Sequence, residues 1–229
     1  MNPGHSHHAA RDRLHLLFPS GRLLLATRNL GKVRELCALL ADTGLELVGL
    51  DAFPELSLPS ETGDTFVANA LIKARAARQA TGLAAAADDS GIRVDALDGA
   101  PGVYSARFAG PAASDADNNR LLIQKLHGLP ATARGARYHC AAALVLGTGE
   151  EVVVEAEVSG RILEEPRGAG GFGYDPYFFY EEFGCTFAEA NATDKNRVSH
   201  RGKAFRELAR AIGARLEDLR TRERRPARD

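Results

Sequence analysis

The order in which apolar periodicity changes along this chain limits its fold more than any other property. Arg22 to Thr27 is a short continuous apolar run, and directly after it Val33, Leu36, Leu39 and Leu40 recur at helical spacing within Gly31 to Ala41. Leu45 to Leu50 reads as a second strand, and Thr65 to Gly82 as a long helix after a loop that holds Pro54 and Pro59. Ala84 to Ala87 is then a small buried strand ending at Asp88, Asp89, Ser90 and Gly91, and Ser114 is suited to cap a helix reaching about His127. The pattern changes after that. Arg137 to Leu146 and Glu151 to Leu163 are long β segments separated by Gly147-Thr148-Gly149-Glu150, and the second alternates around Val152, Val154, Ala156 and Val158, as a hairpin should. A Gly-rich loop, the apolar run Pro176 to Tyr180 and a last helix from about Ser199 to Leu219 complete the order. Strands and helices thus follow one another in a mixed order, an α/β arrangement.

The chain has 229 residues, 45% of them hydrophobic and 26% charged, which fits one large domain or two intimate lobes. The domain is expected over residues 22–219, after a flexible N-terminal extension (1–21) and before a basic tail (220–229). His5, His7, His8, Arg11 and Arg13 precede an apolar patch too broken for a secretory signal. Twenty-nine Lys plus Arg against thirty Asp plus Glu leave a net charge of −1. The molecule as a whole therefore does not attract polymeric nucleic acid or an anionic membrane, and any phosphate binding must be local. Cys37, Cys140 and Cys185 form an odd, widely spaced set that argues against a disulfide framework or a zinc site and fits a reducing, cytoplasmic setting. No apolar run is long enough to span a bilayer.

Several segments carry candidate chemistry. In Thr27-Arg28-Asn29-Leu30-Gly31-Lys32 a strand ends in a tight turn and a helix begins at once, so backbone N–H groups and the positive helix end point into the turn. Thr27 and Asn29 add short hydrogen-bonding side chains and Lys32 a full charge, a set suited to phosphate oxygens, although an Asn29-capped helix with Lys32 in solvent reads equally well locally. Glu61-Thr62-Gly63 precedes the long helix, where Phe66, Asn69 or Ala70, Lys73 and Ala77 share a face, so Asn69 and Lys73 can point to one place. The adjacent carboxylates Asp88 and Asp89 repel one another, and a hard divalent cation such as Mg²⁺ would offset that repulsion. Successive strand residues face opposite sides, so one of the two is expected to meet the metal; a turn in which one Asp caps the backbone is the alternative.

Gly168-Ala169-Gly170-Gly171-Phe172-Gly173 satisfies the dinucleotide pattern G-x-G-x-x-G, but a Rossmann site must follow a strand and open a helix. Here Pro166 precedes the glycines and Tyr174-Asp175-Pro176 follows them, so the loop is better suited to setting an aromatic ring and backbone amides against a planar base, with Asp175 nearby. Lys195, Ser199, His200 and Arg201, just before and into the last helix, suit recognition of an anion or a base edge.

Taken in order, ATRNLGK, SETGDTF, ADDSG, GAPGVYSARFAG, GGFGYDP and KNRVSHRGKA closely resemble the inosine/xanthosine triphosphate pyrophosphatase family (XTP/dITP diphosphatases), over about Leu23 to Leu216. The resemblance implies a long curved mixed β-sheet flanked by helices, in two lobes with the active site in the cleft between them. It implies Mg²⁺-dependent hydrolysis of ITP, dITP and XTP to the monophosphate and pyrophosphate, in a protein that is usually a homodimer. Thr27, Arg28, Asn29, Leu30, Gly31, Lys32, Asn69 and Lys73 would hold the triphosphate, and Glu61 with Asp89 the metal. Asp89, Lys32 and Lys73 would carry catalysis, while Ser90, Phe172, Gly173, Tyr174, Asp175, Lys195, His200 and Arg201 would line the pocket for base and sugar. Two other readings are a related pyrophosphatase for modified pyrimidine nucleotides and a nucleotide-binding sensor without catalysis. The SHR and FGYD segments favour purines over the first, and the intact Glu61, Asp88 and Asp89 argue against the second.

Overall fold

A computed structural model of the chain describes residues 15–27, 33, 36, 37 and 40–224. Arg28, Asn29, Leu30, Gly31 and Lys32 of the proposed phosphate turn lie outside the described residues, as do the N-terminal histidines and residues 225–229. The chain forms two compact units. The first draws on Met1–Asp88, Ala141–Val154 and Ala204–Asp229, the second on Asp89–Cys140 and Glu155–Lys203. Among the described residues seven strands make one sheet, in the order β2 (Glu46–Gly49), β1 (Arg22–Leu25), β3 (Ala84–Val94), β4 (Gly135–Val145), β5 (Glu151–Ile162), β6 (Phe178–Tyr180) and β7 (Cys185–Thr186).

In the first unit β1 (Arg22–Leu25) pairs in parallel with β2 (Glu46–Gly49), from Arg22 opposite Glu46 to Leu25 opposite Gly49. It also pairs in parallel with β3 (Ala84–Val94), from Leu23 opposite Ala84 to Leu25 opposite Ala86. Leu23, Leu24 and Leu25 are all fully buried, so the continuous apolar run is that of a parallel strand covered on both faces. Val33, Leu36 and Leu40 are helical, as their spacing predicts, Leu39 of the same set lies outside the described residues, and Leu36 and Leu40 are buried. Helix α1 (Phe66–Thr81) starts where the Thr65 hydroxyl accepts the Ala68 N–H at 3.0 Å and stops at Gly82, whose φ of 71° suits a residue without Cβ. Its buried face carries Ala70, Ala74 and Ala77. Phe18, ahead of β1 in the segment expected to be an extension, is fully buried, and the Leu17 carbonyl accepts the Gly147 N–H at 2.8 Å.

Strand β3 departs from the sequence reading. It continues through Asp88, Asp89, Ser90 and Gly91 to Val94, so the four residues are extended strand and not a turn. The cause lies downstream: Ile92 and Val94 are fully buried and keep the strand in the core beyond the carboxylates. The chain leaves the first unit and enters the second between Asp88 and Asp89.

In the second unit helix α2 (Asp115–Lys125) opens on a capping box between Ser114 and Asp117. The long strands β4 (Gly135–Val145) and β5 (Glu151–Ile162), which belong to the first unit over Ala141–Val154, are sheet neighbours joined by the predicted short turn, and β6 (Phe178–Tyr180) and β7 (Cys185–Thr186) extend the sheet antiparallel. Ile92, Val94, Leu122, Leu126, Tyr138, Phe178 and Phe187 build the core of this unit, with the Tyr138 and Phe178 rings 4.6 Å apart. The last helical region divides into α3 (Ala192–Val198) and α4 (His200–Arg224), because Ser199 between them is extended. Among the described residues no helix is long and apolar enough to cross a membrane.

Candidate active site

In the first unit the loop before α1 is tied to the helix it precedes. Buried Asn69 accepts the Gly63 N–H at 2.8 Å, and a Cβ on Gly63 would stand 2.6 Å from that of Ala68, so only glycine allows this approach. The tie brings Glu61 to Lys73, whose ammonium donates to Glu61 Oε1 at 2.7 Å; the side chains are 29% and 11% exposed. Asn69 and Lys73 thus act on one place, the ETG loop, as the i, i+4 spacing predicts. Thr27 lies just past the end of β1, where its N–H donates to the Leu25 carbonyl. Asp88, the last residue of this unit's first segment, is buried.

The second unit holds a cavity of about 130 Å³ that brings most of the remaining predicted residues together: Ser90, Phe172, Gly173, Tyr174, Asp175, Lys195, His200 and Arg201 all line it. Asp89, the first residue of the unit, is buried one position before it. The floor is set by Gly91. Ser105 packs so closely on Gly91 that a Cβ there would collide with it, and the Ser105 hydroxyl accepts the Ile92 N–H at 2.9 Å while donating to the Gly102 carbonyl at 2.6 Å. The Tyr174 hydroxyl donates to the Ser105 carbonyl at 2.8 Å, and burial, then the charge of Asp115, raises its pKa well above that of a free phenol.

Asp175 organises the wall. Its Oδ2 accepts from the Lys195 ammonium at 2.6 Å and from the Phe172 N–H at 2.9 Å, and its Oδ1 accepts from the Tyr138 hydroxyl at 3.2 Å. Burial, and after it the Asp175 charge, pushes the Tyr138 pKa far up and so keeps that hydroxyl a donor. The Tyr138 ring lies parallel to His200, 6° apart in plane and 4.6 Å between centroids. Arg201 donates to the Ser90 hydroxyl at 3.1 Å. Ser199 accepts the Gly202 N–H at 3.1 Å and so caps α4, and Gly202 has no room for a Cβ beside the Asn196 carbonyl.

One ring is left uncovered. Phe172 is 52% exposed although its backbone is fixed, and both the Lys195 ammonium and the Arg201 guanidinium stand 5.3 Å from its centroid. A slot with one aromatic face and two cations that can only donate hydrogen bonds is suited to a planar, acceptor-rich, anionic molecule.

The model of a known family matches residues 23–211 of the chain. The chain belongs to the Ham1 family. A dITP/XTP pyrophosphatase of Streptomyces avermitilis is 52% identical over 193 residues, covering 83% of this chain and 96% of that protein. One from Symbiobacterium thermophilum is 51% identical, covering 86% of this chain and 98% of its own length. Among solved structures, the HAM1 protein of Coxiella burnetii superimposes with a TM-score of 0.79 at 38% identity, over 84% of this chain and 98% of that one. A dITP/XTP pyrophosphatase structure from Mycobacterium abscessus gives 0.70 at 47% identity, over 82% and 97%. The mixed α/β architecture of this Ham1 chain is therefore that of its solved relatives.

Sequence reasoning did not name six of the lining residues as site residues: Gly91, Ser105, Ala106, Asp115, Asn118 and Tyr138. Tyr138 reads only as one position in a β run, and its neighbours Asp175 and His200 are distant in sequence. Among the described residues no three His, Cys, Asp or Glu side chains converge as a metal cluster. Carboxylates alone are nonetheless the donor type that Mg²⁺ takes in ones and twos when substrate phosphate and water complete its shell, so Glu61 and Asp89 fit it chemically.

Proposed function

We propose that this protein hydrolyses non-standard purine nucleoside triphosphates (ITP, dITP and XTP) to the monophosphate and pyrophosphate with Mg²⁺, clearing them from the nucleotide pool. As a Ham1 protein it is a hydrolase of the triphosphate anhydride. The observation that carries the purine reading is the Phe172 slot flanked by Lys195 and Arg201. Hypoxanthine and xanthine present a 6-oxo acceptor to such donors, where adenine presents an amino donor.

A nucleoside triphosphate has an anionic end and a planar end, and the chain offers a set of residues for each. In this reading Thr27, Arg28, Asn29, Leu30, Gly31, Lys32 and Lys73 bind the triphosphate, and Asn69 acts through the ETG loop that it holds. Glu61 and Asp89 would hold Mg²⁺, which when bound supplies neutralisation of phosphate charge and polarisation of water. The Asp89 carboxylate orients or deprotonates the attacking water, and Lys32 and Lys73 take up the charge that grows on the departing pyrophosphate. No covalent nucleophile is required. Two further parts complete the proposal: a homodimer, from the family resemblance, and a place in the cytoplasm, from the reducing setting that Cys37, Cys140 and Cys185 suggest.

Following ITP turnover by ³¹P NMR tests this directly. IMP and pyrophosphate should appear in equal amounts, and ATP should be poorer by about 10⁴–10⁵ in kcat/KM, the scale on which mismatched buried polar groups discriminate. Orthophosphate with IDP, or comparable turnover of ATP, would overturn the proposal.

A further inference from the structure

Helix α2 carries an arrangement that no motif in the sequence announced. Asp115, Asn118 and Asn119 stand at i, i+3 and i+4 and share one helix face. Each is spent on a wall of the cavity. Asn118 accepts the Ala109 N–H at 2.8 Å and donates to the Ala106 carbonyl at 3.2 Å, holding the segment that supplies Ser105 and Ala106. Asn119 donates to the Gly173 carbonyl at 2.8 Å, and Asp115 accepts the Gly173 N–H at 2.7 Å. Both faces of the Gly173 residue are thus bonded to one helix, directly after Phe172.

Two observations indicate that this grip serves the slot and not the fold alone. Asn119 is buried and its Oδ1 has no hydrogen-bond partner among the described residues, so its amide is directed at Gly173 at the expense of a satisfied acceptor. Gly171 and Gly173 both have positive φ (73° and 61°), which leaves the Gly-Phe-Gly segment with little stiffness of its own, yet the ring it carries remains half exposed. An exposed ring on a glycine-flanked loop samples many positions unless something outside the loop fixes it.

We propose that Asp115 and Asn119 are positioning residues for base recognition: by holding Gly173 they pre-set the Phe172 ring against which the base stacks. This rests on the reading of the cavity as a base pocket. Pre-organisation of this kind strengthens binding by removing an ordering cost, so the effect belongs in KM.

A double-mutant cycle on the full-length protein with ITP provides the test. Stacking of a base on an aromatic ring is worth about 5- to 100-fold in affinity, which sets the expected rise in KM for Phe172→Ala. Asp115→Ala should raise KM by part of that amount, about 3- to 10-fold, with kcat within about twofold, and Asp115→Asn, which keeps an acceptor for the Gly173 N–H, should restore most of it. Asn119→Ala attacks the other side of Gly173 and should act in the same direction. The decisive result is the combination: in the Phe172→Ala background Asp115→Ala should do nothing further, because it acts only through the ring. Additive effects would overturn the proposal by giving Asp115 its own contact with substrate, and so would a normal KM in both Asp115→Ala and Asn119→Ala beside an impaired Phe172→Ala. A normal KM in Phe172→Ala itself would instead remove the base-pocket reading beneath it.

Discussion

Asp175 permits the sharpest quantitative test of how the wall is built. Its carboxylate is almost fully buried and accepts three hydrogen bonds, one from the Lys195 ammonium, whose side chain is itself only 15% exposed. Solvent screening of this pair is therefore small. Asp175→Ala leaves a nearly buried ammonium and the Phe172 N–H without this partner, and breaking such a pair costs about 3–5 kcal/mol, a large share of the ~5–15 kcal/mol that keeps a domain folded. Asp175→Asn differs in a definable way. With its oxygen facing Lys195 and Phe172, its new NH₂ meets the Tyr138 hydroxyl, which can rotate to accept. All three contacts survive and only the charge assistance is lost, about 1–2 kcal/mol. Urea denaturation separates the two, since with a slope of about 2 kcal/mol/M the midpoint falls by about 2 M for the alanine variant and under about 1 M for the asparagine. Equal midpoint shifts, or an alanine variant within about 0.5 M of wild type, would refute the reasoning.

Asp89→Asn is nearly isosteric and should fold, while kcat for ITP falls by about 10²–10⁴, the worth of a positioned acid–base group; near-normal turnover would remove Asp89 from catalysis. Lys73→Met should lower kcat by about 10²–10³ if its charge serves the leaving pyrophosphate, and a rise in KM alone would reassign it to ground-state binding. Ser114→Ala removes the cap of α2 and should lower Tm by about 2–4 °C near neutral pH. Hydrogen bonds from the Ser114 side chain and backbone, then from Arg120, hold the Asp117 carboxyl below its usual pKa. That contribution is present above the unfolded carboxylate pKa and is lost as pH falls through the folded one, so the Tm gap between wild type and Ser114→Ala should narrow in acid. A gap that widens on acidification would contradict the capping-box geometry.

The sequence was most legible where one element signals itself. Thr65 and Gly82 bracket α1 because a hydroxyl before an apolar period and a glycine after it satisfy helix ends locally. The short turn between β4 and β5 and the cap at Ser114 were legible for the same reason. The Asp88 to Gly91 stretch was misread because turn-forming residue types outweigh strand propensity in a short window, whereas the burial of Ile92 and Val94 is a tertiary effect. The cavity was legible as segments and not as a structure. Phe172, Lys195 and Arg201 belong to recognisable motifs, but Tyr138 and the Asp115-x-x-Asn118-Asn119 face have meaning only once α2 and β4 lie beside the FGYD loop.

On the proposed reading, those unannounced residues bear on discrimination more than the motif residues do. Lys195 and Arg201 can only donate, so they favour a 6-oxo purine over adenine wherever the base sits in the slot. GTP shares that 6-oxo edge and carries at position 2 an amino donor where xanthine carries an oxo acceptor of about the same size, so the two differ there in polarity and not in bulk. Rejecting a donor there requires polar groups that do not turn to meet it, and the loop around Phe172 and the Ser105 segment are held by hydrogen bonds. Asp175 holds the Phe172 N–H, α2 holds both sides of Gly173, Tyr174 is tied to the Ser105 carbonyl, and Ser105 is tied to the backbone at Gly102 and Ile92. Displacing the ring by an ångström would break several of these bonds together, each worth about 0.5–1.5 kcal/mol. On this reading the motif residues would supply the attraction for a deaminated base, and the network behind them would keep those donors from turning to suit a 2-amino group.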